Sequence, residues 1–114
     1  MPVHGSGPKT LFVPYNGKIA DITHADTNQH LLDLAAALSE ARKIISVLVG
    51  FDRMAGTGAI LLYPNEGANS STWMTSRMNP PMTVIKNESN RLPYSLTVAN
   101  DDWDVYCFGY VVEA

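Results

Sequence analysis

The chain is expected to fold as an all-β protein, an antiparallel β-sandwich with about eight strands. Three observations predict this. Short apolar runs recur at 8 to 12-residue spacing with Gly, Pro and Asn turns between them, which is the sandwich or barrel pattern. From Lys43 to the C-terminus the apolar residues alternate with period two. No segment carries a helix long enough to cover a parallel sheet; one short helix near 35–41 is the most the pattern allows.

Residues 1–8 hold Pro2, Gly5, Gly7 and Pro8 and read as an extended arm, with 9–114 as a single sandwich domain. "TLFVPY" is the first strand, with Leu11 and Val13 on one side and Phe12 and Pro14 on the other. Pro14 lacks a donor and suits an edge. Asn16-Gly17 is a hairpin signal, so 18–22 are expected to pair back on 10–15. "TNQHLLDLAAALSEARK" reads as a strand at 29–34 and a short helical turn at 35–41. A single helix over 27–41, capped by Asp26 or Thr27, is the alternative.

"KIISVLVGF" predicts a strand with Ile45, Val47, Val49 and Phe51 on one face and Ile44, Ser46, Leu48 and Gly50 on the other. "DRMAGTG" turns the chain on two glycines at positive φ. "AILLYP", "SSTWMTSR", "MTVIK" and "LPYSLTV" supply further strands, with the prolines of "MNPPM" as a break. In the last strand, Trp103, Val105, Cys107, Gly109 and Val111 share one face. Tyr106, Phe108, Tyr110 and Val112 share the other with Asp104. Both faces are substantially apolar, so this strand belongs in the middle of a sheet, with its second face covered by a loop or another subunit.

Composition narrows the function. The 114 residues allow one domain. Size scaling gives about 6,000 Å² of folded surface against roughly 18,000 Å² unfolded, enough burial for a core without staples. Charged residues make up 17%, below the usual quarter, which fits equally a surface partly hidden against a partner and a quiet polar surface rich in Ser, Thr and Asn. The net charge of −3 with scattered Lys and Arg argues against nucleic acid, which needs clustered cations. No run of ~18 apolar residues crosses a bilayer. The start "MPVHGSGPKTLF" has no basic region followed by a long apolar one, so export by a secretory signal is not expected.

Catalytic and metal motifs are absent. There is no Gly-x-Ser-x-Gly, phosphate loop or dinucleotide fingerprint, and "GSG" and "GTG" read as turns. His4, His24 and His30 show no metal spacing. Asn100, Asp101, Asp102 and Asp104 lack the calcium-loop glycine and distal glutamate, and read as a solvated turn. Cys107 reads as a small buried hydrophobe. The expectation is therefore no enzyme, no cofactor and no metal. Aromatics are the better lead, since Trp and Tyr carry a flat apolar body and a polar handle. Trp73 is expected to face the surface, because its face partners are Ser71 and Thr75. The candidate partner-binding residues are Leu11, Phe12, Trp73, Tyr106, Phe108 and Tyr110.

From residue 31 onward, "LLDL…SEARKIISVLVGF", "GTGAILLYPNEG", "MTVIK" and "LPYSLTVANDDWDVYCFGYVV" resemble small β-sandwich modules of phage virion proteins and bacterial surface proteins. The matching pieces are Asp33-Leu34, Ala41, Tyr63-Pro64 and Gly109-Tyr110, over about two thirds of the chain. The resemblance implies a jelly-roll-like sandwich used for display, adhesion or capsid cementing, and implies no catalytic residue. The arm and "NGKIADITHAD" have no counterpart in it. The function this reading favours is a virion accessory subunit, a capsid decoration (cement) protein or a tail appendage. It would be a homo-oligomer, with a trimer favoured, bound to the major capsid or tail protein, made in the host cytoplasm and carried in the virion. The alternative is a carbohydrate-binding module that stacks a glycan on Trp73 or Trp103.

Overall fold

A computed structural model describes residues 9–79, 81–85 and 90–114. The expected arm at 1–8 lies outside the described residues. Strands β1 (Thr10–Ile22), β2 (His30–Asp33), β3 (Ile44–Ala55), β4 (Ile60–Leu62), β5 (Trp73–Thr75), β6 (Met82–Ile85), β7 (Arg91–Leu96) and β8 (Asp102–Glu113) surround one short helix, α1 (Leu34–Leu38).

The strands form two antiparallel four-stranded sheets, ordered β1-β8-β3-β6 and β2-β7-β4-β5. First pairs with last, β2 with β7, β3 with β6 and β4 with β5. This is a long hairpin folded at its middle and rolled up, and the β3–β8 and β4–β7 ladders close the roll. The expected jelly roll is the observed fold. As its two apolar faces require, β8 lies between neighbours.

The sheets enclose one core. The inner face of the first sheet contributes Phe51, Trp103, Val105 and Val112; the second contributes Ile60, Leu62, Leu92 and Leu96, each nearly or fully inaccessible. The strand-then-helix reading of 29–41 holds. Asp33 caps α1, its side chain accepting from Ala36 N–H at 3.2 Å. The helix ends early because Ser39 turns left-handed (φ 52°), and Leu34 and Leu38 plug the core.

Four expectations need correction, and backbone geometry explains each. First, Asn16-Gly17 is no hairpin turn. β1 runs on, and Lys18 to Ile22 pair with β8, with a bulge between Pro14 and Gly17. A long strand with two apolar faces offers a better ladder than a local hairpin. Second, β3 slips between Ile44 and Ser46, so Ile44 is fully buried and Ile45 only half so. Third, β8 slips at Phe108, which has no partner in β3 between Cys107↔Val49 and Gly109↔Leu48. A bulge adds one residue to the strand and reverses the facing of its later side chains. Tyr110 therefore joins the core at 5% exposure instead of the outer row. Fourth, only Gly56 of the "GTG" turn has positive φ, at 107°. Gly58 is needed for close approach, since a Cβ there would lie 2.7 Å from the Asp101 carboxylate.

Candidate binding face on the first sheet

The register places Phe12, Pro14, Lys18 and Asp21 of β1 beside Val111, Gly109, Tyr106 and Asp104 of β8. Leu48, Gly50 and Asp52 of β3 continue these rows. Cross-strand partners share a face, and this face points away from the core.

Two glycines seat two phenylalanine rings there. A Cβ on Gly109 would lie 2.4 Å from Phe12 Cζ, and one on Gly50 would lie 3.2 Å from Phe108 Cε2. Each ring thus lies against bare backbone. Phe12 remains 55% exposed, Phe108 37% and Met78 69%, so an apolar ledge crosses the sheet. Within it lies a cleft of about 170 Å³. β3 forms its floor with Gly50 and Asp52; Tyr106 and Phe108 wall it from β8, and Met78 and Asn79 wall it opposite. The second wall is pinned to β3: Asn79 N–H donates to Phe51 O, and Asn79 Oδ1 accepts from Phe51 N–H at 2.7 Å.

One end of the face is acidic. Asp21, Asp104 and Asp52 stand side by side on three adjacent strands. Lys18 Nζ reaches Asp21 at 3.0 Å and Asp104 at 3.8 Å, and Tyr106 OH donates to Asp104 at 3.3 Å. The Asp21 carboxyl facing Asp104, together with burial, pushes the Asp104 pKa up. Asp21 is held down by that same contact and by Lys18.

Of the six expected partner-binding residues, this face unites Phe12, Tyr106 and Phe108. Leu11 is 47% exposed but pairs with core-facing Val112, on the other side of β1. Tyr110 is turned inward, its hydroxyl donating to Glu40 at 3.0 Å. Trp73 does not face the surface: it is half-buried, its ring tilted against Phe51 at 5.5 Å, and its neighbour Met74 points outward. Trp103 is fully buried. Sequence reasoning missed Gly50, Asp52 and Gly109, whereas Met78, flanking the Pro-Pro break with Met74 and Met82, was legible as either a gap-filler or an adaptable contact residue. The glycine inside the apolar run "CFGY" was the available sign, since such a glycine marks a bulge or a close approach.

The acidic turn before β8 also differs from expectation. Asp101 is buried at 3%, not solvated. Its carboxylate accepts from Gly58 N–H at 2.6 Å and ties this turn to the β3–β4 loop.

A second polar cluster closes the end of the sandwich. His24 and His30 stack in parallel, with centroids 3.5 Å apart. His24 Nε2 meets Tyr94 OH at 2.6 Å, and His30 Nε2 meets Asp26 at 2.8 Å. Burial drives Tyr94 up to about 12. Burial, then the neighbouring His30, lowers His24. Each Nε2 is already engaged, and among the described residues no three His, Cys, Asp or Glu are grouped to hold a metal ion. Cys107 is buried and free, and burial raises its thiol pKa. Among the described residues no helix is long and apolar enough to cross a membrane.

Comparison of the chain with protein-family models, with curated proteins and with solved structures found no match.

Proposed function

We propose that this chain is a structural accessory subunit of a virion, of the capsid-decoration or tail-appendage kind, that assembles with sister copies through the outer face of its first sheet. One asymmetry carries the reading. On the second sheet the chain's own β4–β5 loop lies over the middle of the outer face, leaving the aliphatic Leu31 and Met74 exposed beside it but no aromatic ring. There Tyr63 OH meets Ser95 Oγ at 2.7 Å, and Gly67 N–H donates to Gln29 at 2.7 Å. Pro93 and Ser95 are buried beneath. On the first sheet Phe12, Phe108 and Met78 stay exposed, and no described element covers them. An apolar ledge on a sheet of this size marks a contact surface, and its aromatic and Met content matches the middle of protein interfaces. Arrayed on a symmetric shell, copies that each bind the major capsid or tail protein weakly gain avidity from repetition.

The glycan alternative gave the stacking role to Trp73 or Trp103. Trp103 is buried and Trp73 is half-buried against Phe51, so the exposed aromatics of the first sheet support the assembly reading more than that one.

Light scattering tests the proposal. The wild-type chain is expected to be an oligomer, with a trimer as the expected mass. Phe108→Asp should shift it to monomer with little change in melting temperature, because the ring sits outside the core. A wild-type chain that stays monomeric at all accessible concentrations, or an unchanged Phe108→Asp oligomer, overturns it.

A further inference from the structure

The cleft beside Phe108 combines features that apolar contact alone does not require. Its walls carry two aromatic rings, Tyr106 and Phe108, and its floor carries the Asp52 carboxylate. It lies against the Asp104–Asp21 end of the face, where Lys18 already serves two carboxylates. A planar guanidinium fits such a site better than an ammonium does. It stacks on an aromatic ring and pairs in two-pronged fashion with a carboxylate. A volume of about 170 Å³ accommodates a side-chain end and excludes a whole element.

The chain also supplies a guanidinium. Arg42 is paired with Glu40, Arg91 with Glu66, and Arg53 donates to Gly58 O and Ser76 O. Arg77 is exposed and, among the described residues, its side chain has no bond or ion pair. It stands one residue from Met78 on the cleft wall. Its backbone is fixed, because Arg77 O accepts from Arg53 N–H at 2.7 Å and Met78 bridges to Asp52.

We infer that the cleft receives Arg77 of a second copy of this chain, its guanidinium stacked on Phe108 and paired with Asp52. This rests on the assembly reading above and names its specific contact. Each copy offers one arginine and one cleft, so copies that give and receive in turn close a ring or pair about a two-fold axis. The ion pair sets the register between copies, and the ledge supplies the apolar area.

A charge-swap cycle followed by light scattering and sedimentation tests it. Arg77→Asp and Asp52→Arg should each weaken assembly at least about tenfold. The double swap should recover most of that loss. The charge-neutral Arg77→Gln and the near-isosteric Asp52→Asn guard against misfolding, and together they should cost little more than either alone. Salt should weaken the wild-type assembly. If the single variants assemble like wild type while Phe108→Asp dissociates, the Arg77–cleft contact is overturned and the face survives. Losses that simply add, with no rescue by the swap, overturn it equally. If Phe108→Asp also leaves assembly intact, the face itself is the wrong surface.

Discussion

At the scale of single residues, Glu40 shows how the fold disposes of a charge beside its core. Its carboxylate takes two bonds from the Arg42 guanidinium, one from Arg42 N–H and one from Tyr110 OH. Arg42 first, then the other donors, hold its pKa at about 2, against an ordinary 4.5. The folded state therefore binds this proton less readily than the unfolded chain. The stabilisation is complete above pH 4.5 and is lost as the pH falls from there toward 2. Urea midpoints measured across that window should fall for wild type and fall less steeply for Glu40→Gln. Equal slopes would show that the Arg42–Tyr110 cluster contributes nothing to acid sensitivity. Tyr110 reached this place because the chain slipped by one residue upstream of it. Nothing in the residue types of "CFGYVV" states which of Phe108 and Tyr110 turns outward. Both are large aromatics, and only the bulge separates them.

At the scale of elements, the β8 bulge matters most. Gly109 has φ of 145°, a region that side-chain-bearing residues rarely adopt. Phe12 lies where its Cβ would be. Gly109→Ala is expected to destabilise by ~1–3 kcal/mol through backbone strain plus the displaced ring. Combined with Phe12→Ala it should cost less than the two single changes added, because the clash component disappears. Additive chemical-denaturation energies would place the Phe12 ring elsewhere. Gly50 makes the contrast: the one tight contact of a Cβ there is Phe108 Cε2 at 3.2 Å, with Phe108 Cζ and Asn79 O at ordinary distances of 3.8 and 3.9 Å, and a ring at the surface can absorb a shift of a few tenths of an ångström. Most strands and the short helix were legible from propensity and periodicity. The bulges at Ile44–Ser46 and Asn16 were not, because a bulge leaves composition unchanged and shifts only phase; the one at Phe108 left a single sign, the glycine that follows it.

At the scale of the whole molecule, the first strand pairs with the last, and the first sheet cannot form until both ends of the chain have met. Such non-local pairing folds slowly, on the order of milliseconds to seconds, and leaves no half that is stable alone. Removing residues 102–114 takes away the ladder partners of both β1 and β3. The truncated chain should show no cooperative thermal transition by circular dichroism, and a retained transition would refute this account. The same roll divides the outer surfaces. The β4–β5 loop folds back over the second sheet, while the first sheet keeps its aromatic ledge. The proposed assembly rests on that difference, which is a property of loop routing rather than of any strand's sequence.

By itself the amino-acid sequence determined the class of fold, the near-positions of the strands and the central place of the last one. These follow from alternation, turn chemistry and composition, all of which act locally. Only the tertiary structure decided which aromatics face out, why Asp101 and Tyr110 are buried, and how Phe12, Phe108, Asp52 and Met78 come to share one surface. Those depend on register between strands far apart in the chain, and a one-residue slip inverts every side chain beyond it.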